Sequence, residues 1–295
     1  MTQARPALRE VIAAPHPDIA PLPPAAPCES GVRLLRGVPY RHIEGSRPVE
    51  LDLWLPEDGR PRPAPLLLCV HGGAWRRGRR EDMGPRMRHW APGPFERLAA
   101  AGFAVAGVDY RLSGEAVFPA ALDDLRAALR WLGLRSAELG IDTGRTVVWG
   151  ESAGGHLASL LALTSTDPRP VGAVVWYGPS DLSTPREGFD PHDPRSPEAL
   201  LLGAAPATCP DRADEAGPLA HAHSGAPPFL LVHGEADTMV SRTHSEALAA
   251  ALNDAGARAE LRLVPGADHG WYGLSDAEVE DIFTHSLRFA RHLVS

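Results

Sequence analysis

Two apolar runs, Leu66-Leu67-Leu68-Cys69-Val70 and Phe103-Ala104-Val105-Ala106-Gly107-Val108, constrain this chain more than any other feature. Neither run alternates with polar residues, so each reads as a strand buried on both faces, the habit of a parallel sheet. The helix-like segment Phe95 to Ala101 leads into the second run. Further strand patterns lie at Thr146 to Trp149, Val171 to Tyr177, Phe229 to His233 and Ala259 to Val264. Between or after them come helix patterns at Ala120 to Leu134, Ser241 to Ala255 and Asp276 to Leu293. Asp123 and Asp124 sit in early turns of the first of these helices, where the dipole favours negative charge. Ahead of all this, Gly37 to Ile43 and Val49 to Leu55 read as a hairpin. The expectation is an α/β protein with a mostly parallel central sheet and helices on both faces.

At 295 residues, with 44% hydrophobic and 22% charged residues, one globular domain with insertions is expected. A formal net charge of -8 argues against nucleic acid and anionic membrane surfaces as partners and leaves small molecules. Cys28, Cys69 and Cys209 are odd in number and widely spaced, which predicts neither a disulfide framework nor a zinc site. No apolar stretch is long enough to span a bilayer, and the first residues lack a signal-peptide pattern, so a cytoplasmic monomer or homodimer is expected. Residues 1–30 carry seven prolines and read as an arm, more a mobile tail than a lid, ahead of a domain over 31–295. The stretch 178–228, rich in Pro, Asp and Gly with a helical piece near Ser196 to Leu202, interrupts the strand and helix rhythm beyond a strand end. It reads as a cap over a pocket.

The chemistry is concentrated where the strand Thr146 to Trp149 meets the apolar helix beginning near His156. Between them stands Gly150-Glu151-Ser152-Ala153-Gly154, a serine on a sharp turn whose flanking glycines avoid collisions with the neighbouring strand and helix. Acyl transfer through such a serine needs a base, an acid to orient the base, and donors for the oxyanion. His269 follows the strand Ala259 to Val264 and is the candidate base. Asp237 follows Phe229 to His233 and is the candidate acid, giving the chain order Ser, Asp, His. His71-Gly72-Gly73-Ala74-Trp75 directly follows Leu66 to Val70, so Gly72 and Gly73, with the N–H of Ala153, are the candidate oxyanion donors.

Other candidates are weighed against these. Among 13 histidines, His156 and His233 read as hydrogen-bonded core residues. His221 and His223 form an H-x-H pair without further ligands at suitable spacing, so no metal and no cofactor are expected. Asp268 neighbours His269 and should point away from it. Glu151 should turn from the serine and make a supporting hydrogen bond. Six arginines, Arg76, Arg77, Arg79, Arg80, Arg86 and Arg88, crowd the segment after the glycines. They read as a solvated loop, with Trp75, Arg76 and Arg77 as candidate substrate contacts and the two arginines able to receive an anionic group.

Taken together, these motifs resemble the α/β-hydrolase superfamily, and within it the esterase/lipase group with an H-G-G-x-W oxyanion motif, similar to hormone-sensitive-lipase-like and bacterial feruloyl-esterase-like enzymes. The likeness runs from about Val38 to the C-terminus and includes Asp109-Tyr110-Arg111-Leu112 and Phe118-Pro119-Ala120-Ala121. It implies an α/β-hydrolase fold, Ser152 as nucleophile, His269 as base, Asp237 as its partner, and a bracing role for the Asp109-Tyr110-Arg111 stretch. The expected activity is a carboxylesterase acting on a small ester through an acyl-enzyme. The same triad would also serve amide or formamide, lactone or thioester hydrolysis or acyl transfer, and a hydrolase-like protein of this kind can also be a non-enzymatic ligand binder.

Overall fold

The computed structural model describes residues 16–28, 30–57, 62–185 and 189–295. The first half of the proline-rich arm, residues 1–15, lies outside the described residues.

Nine strands form one sheet: β1 (Ala26–Pro27), β2 (Arg33–Arg41), β3 (Val49–Leu55), β4 (Ala64–Val70), β5 (Ala104–Val108), β6 (Ile141–Glu151), β7 (Gly172–Trp176), β8 (Phe229–Gly234) and β9 (Ala259–Val264). Their spatial order is β1-β2-β3-β5-β4-β6-β7-β8-β9. The pairs from β5 to β9 are all parallel, and β1, β2 and β3 join antiparallel at one edge. The two unbroken apolar runs explain this arrangement. Leu66, Leu68 and Val70 face one core and Leu67 and Cys69 the other, so alternate side chains of β4 are buried on opposite sides of the sheet. One face is covered by α2 (Ala120–Leu134), α3 (Ala153–Thr164) and α4 (Thr243–Asp254), the other by α1 (Pro94–Ala100) and α5 (Asp276–Val294).

The strand order fixes the position of the site. β4 is flanked by β5 on one side and β6 on the other, so the chain leaves the carboxyl ends of β4 and β6 in diverging directions. A crevice opens at such a switch point. The serine turn follows β6 and the His71-Gly72-Gly73 loop follows β4, placing both at its rim.

Three expectations are corrected. Residues 16–28 are fastened as a strap: Trp131 Nε1–H donates to the Pro17 carbonyl at 2.9 Å, Arg135 donates to the Ala20 carbonyl at 2.9 Å, and Ala26–Pro27 pair with β2. The insertion 178–228 holds Pro197–Leu202 as expected, but also Pro206–Thr208, Pro210–Glu215 and Pro218–His221. Its described residues pack on the α3 and α4 side of the sheet, and none of them lines the crevice. Among the described residues it therefore places nothing over the crevice. Asp124, read as a dipole partner, is buried and bonded to Arg41 and Arg111 at 2.5 and 2.9 Å.

Candidate active site

Ser152 lies between β6 and α3 with φ 54° and ψ -122°, a region costly for a residue with a Cβ, worth about 1–3 kcal/mol of local strain. The flanking glycines make this turn possible. A Cβ on Gly154 would stand 2.0 Å from the Val70 carbonyl oxygen, and one on Gly150 2.1 Å from the Gly154 carbonyl oxygen. The Ser152 N–H is anchored to the Trp176 carbonyl at 2.9 Å, so the strain is held by the sheet itself.

Three loops deliver the remaining groups. Ser152 Oγ is 3.0 Å from His269 Nε2, and His269 Nδ1 is 2.8 Å from Asp237 Oδ2. The carboxylate accepts only, so the imidazole carries its proton on Nδ1 and offers a bare Nε2 to the serine hydroxyl. The structure thus brings together the three residues that chain order had paired. Asp237 Oδ1 accepts the N–H groups of Met239 and Val240 at 2.9 and 2.8 Å, and His233 Nε2 stands 3.3 Å from Oδ2. Burial pushes the Asp237 carboxyl up, but the hydrogen bonds from His233 and His269 outweigh it and hold the group well below the usual carboxylate range. Asp268 points elsewhere, as expected, accepting the Thr238 N–H and hydroxyl and the His269 N–H. The Tyr177 ring tilts against His269 at 4.6 Å between centroids.

The oxyanion side differs from the reading by one residue. The Gly72 N–H donates to Glu151 Oε1 at 2.7 Å, so it is not free for a substrate oxygen. The next loop N–H groups without an acceptor are those of Gly73 and Ala74. Gly73, Ala74 and Trp75 have φ of 108°, 56° and 55°, and these left-handed turns bend the chain across the end of β6. Among the described residues the N–H groups of Gly73, Ala74 and Ala153 have no acceptor. The sequence carried one signal for this change: a glutamate beside the serine, at the floor of a crevice, must find a donor, and the next strand's loop supplies the nearest free N–H. Burial pushes the Glu151 carboxyl up, an effect partly offset by the Gly72 N–H and by His269.

Trp75 is corrected as well. Its left-handed backbone turns the indole inward, where it is 2% exposed and donates to His156 Nδ1 at 3.2 Å. His156 Nε2–H donates in turn to the Ala216 carbonyl at 2.7 Å, and burial drives its pKa down to about 4. Trp75 therefore fixes the loop and does not touch the crevice. Arg76 is exposed outside it, and Arg77 is on its wall.

Remote groups hold this loop. Tyr110 donates to the His71 carbonyl at 3.0 Å and its ring stacks on His71 at 4.4 Å. Arg80 bonds Asp52 at 2.7 Å and Asp109 at 2.6 Å. Gly107 lets this approach occur, since a Cβ there would lie 2.1 Å from the Arg80 carbonyl oxygen. Asp109 and Tyr110 thus brace the loop, while Arg111 reaches Asp124 instead.

The resulting cleft has a volume of about 530 Å³, lined by residues 71–74, Arg77, Gly78, Asp82, Gly84, Pro85 and Arg88 of one loop, by Glu151, Ser152, Thr238 and Met239, and by residues 268–270 and Tyr272. Among the described residues no cluster of three or more His, Cys, Asp or Glu side chains is arranged to hold a metal, and His221 and His223 reach the carbonyls of Glu215 and Leu163. No described helix is long and apolar enough to cross a membrane.

A serine turn after the central parallel strand β6, facing an aspartate from the loop after β8 and a histidine from the loop after β9, defines the α/β-hydrolase class. Comparison with known proteins narrows this: the chain belongs to the BD-FAE family, whose model matches residues 51–252. Esterase LipQ of Mycobacterium tuberculosis is 34% identical over 253 residues, covering 79% of this chain and 56% of its own length. The chain therefore spans just over half the length of this curated relative. Among solved structures, a truncated carbohydrate esterase from gut microbiota superimposes with a TM-score of 0.73 at 27% identity, covering 89% of this chain and 99% of that one. Esterase Est2 of Thermogutta terrifontis gives 0.67 at 25% identity, covering 90% and 92%, and has also been solved phosphonylated by sarin.

Proposed function

We propose that this chain is a serine carboxylesterase acting on a small ester through an acyl-enzyme. The observation that carries the reading is the convergence of two independent systems on Ser152: the hydrogen-bonded series Ser152, His269, Asp237 and the free N–H groups of Gly73, Ala74 and Ala153. In the first step Ser152 Oγ attacks the ester carbonyl carbon while its proton passes to His269 Nε2. The carbonyl oxygen becomes an oxyanion and is received by the three backbone donors, which are fixed before the reaction begins. His269 then gives its proton to the departing alkoxide, and the alcohol leaves. Water attacks the acyl-enzyme, losing its proton to His269, and collapse of the second tetrahedral species returns the proton to Ser152 Oγ with release of the acid. Asp237 holds the imidazole in the required tautomer and stabilises the imidazolium. The names of the relatives, and the reaction of Est2 with an organophosphorus agent, support the same chemistry.

The three free thiols, Cys28, Cys69 and Cys209, support a reducing, cytoplasmic setting, and the reading includes a monomer or homodimer with a small-molecule ester as its partner. Hydrolysis of p-nitrophenyl esters of increasing acyl length, by wild type and Ser152→Ala, tests the proposal. A serine-reactive phosphonate read by intact mass runs alongside. The expected result is turnover and a single adduct, both lost in the variant; an adduct on another residue would overturn it. Amide, lactone and thioester substrates in the same panel separate the reaction types open to one triad.

A further inference from the structure

Of the six arginines following the oxyanion glycines, four are neutralised within the protein. Arg79 faces Glu81 at 3.8 Å, Arg80 bonds Asp52 and Asp109, Arg86 bonds Asp276 at 2.7 Å, and Arg88 bonds Asp82 at 2.6 Å. Among the described residues the guanidinium groups of Arg76 and Arg77 have neither a carboxylate nor a hydrogen-bond acceptor, and both side chains are exposed. Of these two, Arg77 lines the cleft and Arg76 does not. Its root is fixed: the Arg77 N–H donates to the Gly73 carbonyl at 3.2 Å, and a Cβ on Gly73 would lie 2.1 Å from the Arg77 carbonyl oxygen and 3.1 Å from its Cγ. A cation without an internal partner therefore starts from the residue that packs on an oxyanion donor.

The carboxylates of the cleft are engaged from within. Asp82 holds Arg88 and the Gly84 N–H, Glu151 holds the Gly72 N–H, and Asp268 takes its three donors from Thr238 and His269. Arg77 and Asp268 also leave the sheet on different sides of the nucleophile's strand, from the ends of β4 and β9. A guanidinium fork with all its donors open matches a carboxylate in two parallel hydrogen bonds, a geometry an ammonium cannot copy.

We propose that Arg77 anchors a carboxylate on the substrate, so that the preferred esters are half-esters of dicarboxylic acids or similarly acidic small esters. This rests on the serine hydrolase reading but is tested separately from it. Ser152→Ala binds esters without cleaving them, and titration calorimetry with monomethyl succinate and dimethyl succinate compares an anionic ester with its neutral counterpart. The expected result is tighter binding of the half-ester, weakened at least about tenfold by adding Arg77→Gln and by raised salt, with the diester changed less than about twofold. Arg76→Gln, an equal change of charge outside the cleft, should leave the half-ester affinity within about twofold. Equal weakening of both esters, no preference for the half-ester, or an Arg76→Gln effect as large as that of Arg77→Gln would overturn the proposal. Turnover of the same two esters by the Ser152 enzyme is measured in parallel. Its absence would refute the hydrolase reading, and the binding arms would still decide the role of Arg77.

Discussion

The two walls of the cleft are built by opposite strategies. The wall after β8 and β9 contributes side chains, Asp237 and His269, mounted on short turns that also carry solvent-exposed side chains: Met239 is 65% and Tyr272 55% exposed. The wall after β4 contributes backbone N–H groups, and its main chain runs through three consecutive residues with positive φ. A side chain is aimed by its rotamer and a few hydrogen bonds. A backbone donor has no rotamer, so the loop must be held as a whole. That is why Asp52 in β3, Tyr110 after β5, Glu151 in β6 and His156 in α3 all close on residues 71–80. The left-handed Ala74 and Trp75 are retained because these groups over-determine them.

The largest test of this contrast lies on the side-chain wall. Asp237→Asn should cut kcat by about 10⁴ with KM little changed, because the amide can donate to His269 and favour the wrong tautomer. A loss below about tenfold would assign the orienting role to another acid. On the backbone wall the largest effect should be on the fold. Arg80→Ala strands Asp52, which is 2% exposed, and should cost about 3 kcal/mol in urea denaturation, with activity falling alongside. An unchanged midpoint would mean the nearby Arg36, 3.7 Å from Asp52, replaces it. Next comes Glu151. Replacement by Ala frees the Gly72 N–H and loosens the loop, so kcat should drop about 10²-fold at near-constant KM, the scale of losing one oxyanion donor. Glu151→Gln keeps an acceptor for that N–H and should remain within a few-fold of wild type. Similar losses in both variants would show that the charge, and not the hydrogen bond, matters.

This contrast also sorts what the sequence could tell. Groups fixed by their place at a strand end were legible: Ser152 after β6, Asp237 after β8, His269 after β9, and the glycines that permit the serine turn. So was the parallel sheet, because apolar runs without alternation have few other uses. What long-range partners decide was not legible. Trp75 turns inward because His156, 81 positions later, accepts its indole N–H. Gly72 loses its donor role to Glu151, 79 positions away. The insertion 178–228 looked like a cap by composition and length, yet the Ala216 carbonyl and Ser180 fasten it to α3 and α4 on the far side. The strap at 16–28 owes its order to Trp131 and Arg135, which its prolines could not announce.

The smallest effect predicted is also the one that joins the backbone wall to the insertion. His156 must stay neutral, since Nε2–H serves the Ala216 carbonyl while Nδ1 accepts the Trp75 indole; a second ring proton would face a donor. Burial lowers its pKa from the ordinary value of 6.5 to about 4. A histidine held neutral in the fold takes up its proton more readily when the chain unfolds, so between these two values the unfolded state binds more protons and acid weakens the fold. Stability from this group is complete above about pH 6.5, declines as pH falls towards 4 and is flat below. One unit into that window the loss approaches about 1.4 kcal/mol. His71, also buried with a lowered pKa, adds a decline in the same direction. Denaturant midpoints measured from pH 7 to 5 should therefore fall for wild type, and the fall should be shallower in His156→Gln, which cannot take the proton. Parallel slopes for the two proteins would remove His156 from the account. A shallower slope in His156→Gln together with a drop in kcat at constant KM would show that the bond from the insertion through His156 to Trp75 is part of what holds the oxyanion donors in place.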